Sequence, residues 1–262
     1  MHIGIIGNGA IGTYVRETLI EKGYAPRALI ELPEVVDSCA SELPGIACVA
    51  TVADLPAGID HMVDCAGPSA LKSHGPDILR RGIDLTTVSI AGFADEALTR
   101  SLDQAAAEGK AKLHLVSGAI GALDALRAAS VGNLQSVTYI GRKPPQAWKG
   151  SPAESRLDLE ALRAASIHFE GPARDAAIEY PKNANVAAAV ALAGIGFDET
   201  QVRLIADPDV IENIHRIEAS GDFGRFMFEI RGSALPDNPK SSALAAMSVI
   251  SILEQQTQNI RF

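Results

Sequence analysis

Met1-His2-Ile3-Gly4-Ile5-Ile6-Gly7-Asn8-Gly9-Ala10-Ile11-Gly12 opens the chain, and the fold turns on how it is read. Ile3 to Ile6 is a short apolar run of the kind a buried strand presents, and Ala10 to Lys22 has helical spacing that stops at Gly23, where a helix C-cap belongs. Between them stand Gly7, Gly9 and Gly12. Glycines there permit a tight turn, let a pyrophosphate approach the backbone, and let the helix pack closely on the strand, while the first helical N–H groups supply aligned donors. Gly7, Gly9, Ala10, Ile11 and Gly12 are therefore the expected dinucleotide-binding residues. A glycine turn alone is a loose pattern, but here the strand before it, the helix after it and the position at the chain start all agree.

Outward from that loop, Ala28 to Ile30 reads as the next strand, with Glu31 at its end, 19 residues past Gly12. A carboxylate there accepts hydrogen bonds from the adenosine ribose and repels a 2'-phosphate, which favours NAD over NADP. The bland alternative is a solvated residue after a strand, and Arg27 nearby softens the preference. Ala47 to Val49, His61 to Cys65, Leu85 to Val88 and Lys112 to Val116 continue as strands. Helical stretches at Ser69 to Arg81 and Asp95 to Glu108 lie between them, ending at Gly82 and Gly109. This is a βαβ array, the pattern of a parallel sheet with crossover helices.

After Asp124 the text changes. Val202 to Ala206, Asn213 to Ala219 and Arg225 to Arg231 alternate apolar and polar residues as half-buried antiparallel strands do, with helices expected at Ala173 to Tyr180 and Val186 to Ala193. Lys143 to Ser155, rich in Pro, Gly and Ser, reads as a loop. Pro239 marks the start of a terminal helix that packs back on the first domain. The expected class is α/β: a Rossmann dinucleotide-binding domain (1–118 and 237–262) plus a second α+β domain with a mostly antiparallel sheet (119–236).

Composition narrows the function. The 262 residues carry 32 acidic and 23 basic side chains, a formal charge of -9, which argues against an extended nucleic-acid or anionic-membrane footprint. The longest small-apolar stretch, Val186 to Phe197, is too short for a membrane span. No basic leader precedes the first apolar run, so no export signal is expected. Cys39, Cys48 and Cys65 are odd in number and form no C-x-x-C pair. Neither a disulfide nor a thiolate metal site is expected, and a reducing cytoplasm is.

A hydride-transfer site also needs a proton carrier, for which histidine is the usual choice near neutral pH. Six compete. His2, His61, His74, His114 and His168 read as structural or exposed; His215, in Glu212-Asn213-Ile214-His215-Arg216-Ile217-Glu218, sits on a second-domain strand and is either the proton carrier or a satisfied core imidazole. Ser117 to Asp124 is small enough to let backbone approach a nicotinamide ring, or is a hinge. In Pro181-Lys182-Asn183-Ala184-Asn185 either asparagine is a helix cap by default.

Taken in order, Gly7 to Gly12, Ser117 to Leu126, Pro181 to Val186, Ile205-Ala206-Asp207-Pro208, Asn213 to Glu218, Phe223-Gly224-Arg225-Phe226 and Asn238 to Leu244 resemble the NAD(P)-dependent L-aspartate dehydrogenases over almost the whole chain. The resemblance implies homodimers that interconvert L-aspartate with iminosuccinate, which hydrolyses to oxaloacetate and ammonia, some members supplying iminosuccinate to NAD biosynthesis. It also implies His215 as the catalytic histidine, and Ala119 and Asn185 as contacts of the nicotinamide end. Lys182 and Lys240 are candidates for the two substrate carboxylates. The chain departs from the family pattern at Asp64-Cys65-Ala66-Gly67-Pro68 and Ser89-Ile90-Ala91-Gly92-Phe93, which bears on the substrate side chain. The readings set against it are a reductase of the dihydrodipicolinate or homoserine dehydrogenase type and a non-catalytic dinucleotide sensor.

Overall fold

The computed structural model describes residues 1–181, 183–235 and 238–260, and the chain divides into two compact units, Met1–Val116 with the C-terminal residues from Ala246, and Ser117–Ala245. Lys182 and the expected domain boundary at 236/237 lie outside the described residues.

In the first unit the elements are β1 (Ile3–Ile6), α1 (Ala10–Glu21), β2 (Ala28–Ile30), α2 (Val36–Glu42), β3 (Ala47–Val49), β4 (His61–Asp64), α3 (Pro68–Arg80), β5 (Asp84–Thr87), α4 (Glu96–Gly109) and β6 (Leu113–Leu115). The strands form one parallel sheet in the order β3-β2-β1-β4-β5-β6. The order reverses direction beside β1. In an open α/β sheet that reversal leaves a crevice at the carboxyl ends of the strands, and the Gly7 to Gly12 loop lies there. β1, β2 and β4 are buried along their whole lengths, which is why they read as continuous apolar runs rather than alternating ones.

One expectation is overturned here. Cys39 and Cys48 form a disulfide, with their Cα atoms 6.2 Å apart, and Cys65 alone is free. The odd count and the absence of C-x-x-C hid this pair because α2, which turns the chain back so that Cys39 meets Cys48 on β3, has no strong apolar periodicity.

The second unit contains α5 (Leu123–Ala129), β7 (Leu134–Lys143), α6 (Ala153–Arg156), β8 (Ser166–Pro172), α7 (Ala173–Glu179), α8 (Asn185–Ala193), β9 (Gln201–Ala206), β10 (Asn213–Gly221), β11 (Gly224–Gly232), β12 (Ala234–Leu235) and β13 (Asn238–Ser242). Five of these strands make a sheet in the order β11-β10-β7-β9-β8, in which only the β7–β9 pairing is parallel. The mostly antiparallel sheet expected of an α+β domain is present. α8 is largely alanine and buried along most of its length, since small side chains let a helix lie close to its neighbours. Lys143 to Ser155 is not a plain loop: Lys143 ends β7, a 3-10 turn covers Pro145–Trp148 with the indole fully buried, and α6 follows.

The expected helix start at Pro239 is likewise corrected. Asn238–Ser242 is strand, paired with β12, and the terminal helix α9 (Ala243–Thr257) begins only where the Ala243 N–H donates to the Ser233 carbonyl at 3.1 Å. The local helix-start signal yields to a strand partner already in place. α9 then places Val249, Ile250 and Leu253 in the apolar core of the first unit, among Ile3, Ile5 and Val63.

Candidate active site

The glycine loop has the geometry that its sequence demands. Gly7 has a φ of +86°, which only glycine adopts without strain, and a Cβ on Gly12 would stand 1.9 Å from the Gly7 carbonyl oxygen. A Cβ on Gly9 would meet nothing, so that side of the loop is open to a ligand. Gly9 caps α1 without a side-chain hydrogen bond, and Ala10 and Ile11 form the helix's first turn. An open, side-chain-free face at a helix N-terminus suits the pyrophosphate of NAD(P). Glu31 directly follows β2, and its carboxylate accepts the N–H of Asn8 in the loop. The Asn8 side chain is fixed in turn, its Oδ1 accepting from Arg16 Nε at 3.2 Å.

At the carboxyl end of β4, Asp64 is fully buried. Its Oδ2 accepts from Thr87 Oγ1 at 2.6 Å and Ser89 Oγ at 2.5 Å, and its Oδ1 accepts the Ala66 N–H at 3.0 Å. Burial pushes the carboxyl up against the pull of these bonds. The two segments expected to depart from the pattern of similar chains, at Asp64 and at Ser89, are thus tied to each other by one carboxylate.

In the second unit, β10 and β7 pair so that His215 lies opposite Gly141 and Ile217 opposite Tyr139. Side chains two apart on a strand share a face, so Tyr139, Gly141, Lys143 and His215 all face one way. His215 is buried, and its Nδ1 is 2.7 Å from the Tyr139 hydroxyl. That contact fixes the ring and leaves Nε2 for proton exchange. Burial first, and the Lys143 cation second, draw the imidazole down to about 3, so it is neutral at physiological pH. Burial pushes the Tyr139 hydroxyl up, so it stays a phenol.

Lys143 is itself buried, donating from Nζ to Asn183 Oδ1 at 3.1 Å and lying 5.0 Å from the centre of the Trp148 ring. Around the indole are His168, with ring centroids 4.3 Å apart, and Tyr180, whose hydroxyl is 3.0 Å from His168 Nδ1. Asp207, in the Ile205 to Pro208 run, accepts from Arg142 Nη1 at 2.9 Å and from the Asp209 N–H at 2.9 Å, which makes it a turn anchor.

Among the sequence-nominated residues, Ala119 is buried in the segment before α5, and Asn185 is the half-buried first residue of α8, which Ala184 caps. Lys240 lies on β13, and its side chain, like the whole of Lys182, falls outside what is described. Tyr139 and Lys143 were not singled out from sequence, and Asn183 was read only as a helix cap. The available signal was the alternation Val137, Tyr139, Gly141, Lys143, which puts a lysine in phase with core positions. Among the described residues no group of three His, Cys, Asp or Glu side chains is placed to hold a metal ion, and no helix is long and apolar enough to cross a membrane.

A sequence profile for the C-terminal region of aspartate dehydrogenase matches residues 124–256, and one for the NAD-binding domain of homoserine dehydrogenase matches residues 7–116. The chain is 48% identical over 261 residues to the L-aspartate dehydrogenase of Ruegeria pomeroyi, covering 100% of this chain and 94% of that one. The chain belongs to the L-aspartate dehydrogenase family. A second family member, the L-aspartate dehydrogenase of Ralstonia nicotianae, is 46% identical, covering 97% of this chain and 96% of its own. The crystal structure of aspartate dehydrogenase from Thermotoga maritima superposes with a TM-score of 0.80 at 27% identity, over 100% of this chain and 99% of that one. A dihydrodipicolinate reductase from Paenisporosarcina shares the fold at 16% identity and a TM-score of 0.56. The homoserine dehydrogenase likeness therefore belongs to the shared dinucleotide-binding half, while the C-terminal half carries the family.

Proposed function

We propose that this chain is an L-aspartate dehydrogenase that oxidises L-aspartate with NAD(P) to iminosuccinate, which hydrolyses to oxaloacetate and ammonia. The observation that carries the reading is identity near one half, over the full chain, to L-aspartate dehydrogenases. When bound, NAD(P) supplies the acceptor for the hydride that leaves the aspartate α-carbon.

The protein's part is to bind, orient and move a proton. Gly7, Gly9, Ala10, Ile11 and Gly12 hold the pyrophosphate, and Glu31 takes the adenosine ribose, which favours NAD. Ala119 and Asn185 are the proposed contacts of the nicotinamide end, and Lys182 and Lys240 those of the substrate carboxylates. His215, neutral and pinned through Nδ1 by Tyr139, accepts at Nε2 the proton that the amine loses as the C=N bond forms, then serves the water that adds to the imine. As imidazolium its Nδ1–H donates to the Tyr139 oxygen, so the charged form keeps its partner. A homodimer in the cytoplasm, supplying iminosuccinate for NAD biosynthesis, completes the proposal.

The test is the rise in absorbance of reduced nicotinamide when L-aspartate is added with NAD or NADP at alkaline pH, together with His215→Ala. Turnover is expected in the wild type. The variant should lose about 100-fold or more in kcat, the ordinary worth of a positioned acid–base group, while binding NADH as before. Cofactor binding without turnover on any amino acid would favour a sensor instead, and a His215→Ala variant at the wild-type rate would remove the role given to the imidazole.

A further inference from the structure

Lys143 is a charge without a counter-charge. Its side chain is 8% exposed, its Nζ donates to an amide oxygen, Asn183 Oδ1, and the face of Trp148 lies beside it. An amide and an aromatic face stabilise a cation without neutralising it. Among the described residues no carboxylate pairs with Lys143, and burial alone accounts for its pKa falling to about 8. Asp207, whose N–H donates to the Lys143 carbonyl, gives its carboxylate to Arg142. A buried lysine ordinarily finds a carboxylate or stays neutral. This one has an amide oxygen and an aromatic face for partners, so its site lacks the counter-charge that an anion arriving from outside would supply.

The position of that site relative to His215 gives it a purpose. Gly141 faces His215 across the β7–β10 ladder, and Lys143 is two residues farther along the same face. Diagonal neighbours of this kind stand roughly 7–8 Å apart. That backbone spacing is comparable to the length of a four-carbon dicarboxylic acid. The titratable groups around the pair are Tyr139 on β7, His168 on β8 and Tyr180 after α7, none of them anionic near neutral pH. Arg156, which donates to the Tyr180 hydroxyl at 3.3 Å, is itself paired with the Glu179 carboxylate at 2.6 Å, so Glu179 is spent on Arg156 rather than on Lys143.

We propose that Lys143 shares with Lys182 or Lys240 one of the two carboxylates of the substrate, and that the ion pair so formed relieves the positive field on His215 and strengthens it for proton transfer. This deepens the reading given above and rests on its dicarboxylic amino-acid substrate. The free enzyme holds an imidazole that a neighbouring cation and burial keep from accepting a proton. The docked carboxylate cancels the cation's share, the smaller of the two, so the base is strengthened when substrate is in place.

Trp148 is the only tryptophan in the chain and lies against the ammonium, so its fluorescence reports on that site independently of turnover. Succinate, a dicarboxylate without an amine, serves as the probe on the full-length protein. A saturable change in Trp148 emission is expected in the wild type and its loss in Lys143→Met. In the same variant the KM for L-aspartate should rise at least about 30-fold, the usual cost of removing one partner of a buried charge pair, with kcat changed less than about fivefold. With the cation gone, the acid limb of kcat/KM should move to higher pH, which a merely structural lysine would not cause.

Should Lys143→Met fail to fold, Asn183→Asp carries the same test. Its carboxylate takes the ammonium internally and should weaken succinate at least about tenfold. Unchanged succinate affinity in whichever variant folds, or an unchanged KM in Lys143→Met, overturns the proposal. A wild type that binds succinate through Lys143 but does not oxidise L-aspartate would instead overturn the functional reading alone.

Discussion

Glu31 carries one observed role and one proposed role on a single carboxylate. One oxygen accepts the Asn8 N–H and so holds the glycine loop against the end of β2, while a carboxylate keeps acceptor capacity for a ribose hydroxyl. Replacing it by alanine removes a charge-assisted acceptor worth about 1.5–3 kcal/mol, so Glu31→Ala should weaken NADH by about tenfold or more and NADPH distinctly less. Fluorescence titration with each cofactor checks this, and equal losses for both would mean the acid does not read the ribose. The place of Glu31 at the end of β2 was legible because its distance from Gly12 is fixed by helix and strand lengths. His215 was nominated by chemistry, but its partner Tyr139 comes from a strand that no motif announces. Lys143 was hidden for a different reason: a lysine in a stretch rich in Pro and Gly reads as solvated, and only the strand register shows it turned inward.

At the scale of elements, the parallel sheet was readable because strands buried on both faces leave uninterrupted apolar runs, and the ends of β1, β2 and β3 fell where those runs end. Pairings were not readable even between segments close in sequence, since β13, which pairs with β12, and the Cys39–Cys48 bridge depend on what meets in space. The bridge closes a short loop between α2 and β3, its partners 9 positions apart in sequence. Closing a loop of that size stabilises by about 2–3 kcal/mol in the chain-entropy picture. Reduction with a strong dithiol should therefore lower the Tm by several degrees and act first on this edge of the sheet. Peptide mapping under non-reducing conditions should recover Cys39 joined to Cys48 with Cys65 unmodified; a thiol count of three in the native protein would refute the pairing. Burial pushes the Cys65 thiol well above its ordinary range, so it does not compete for exchange.

Across the whole molecule, three imidazoles are sealed in the interior. Burial draws His61 and His168 down to about 4 and His215 to about 3. In the unfolded chain the same groups bind protons near pH 6.5, so below that pH the unfolded state takes up protons that the folded state refuses. Their contribution is fully present above about pH 6.5 and is lost as the pH falls toward about 4, by about 1.4 kcal/mol per histidine for each pH unit. Urea unfolding should show a loss of at least about 3 kcal/mol between pH 7 and pH 5, with His61→Asn recovering part of it; a flat profile over that range would contradict the burial of these rings. The C-terminal helix sets a further condition. Because Val249, Ile250 and Leu253 complete a core begun by Ile3 and Ile5, a chain still emerging from the ribosome holds its dinucleotide-binding half open until α9 has been made. Synthesis in the N-to-C direction then yields a finished second unit before a finished first one, and a premature stop codon ahead of residue 249 would cost the cofactor half its solidity rather than merely trim a tail.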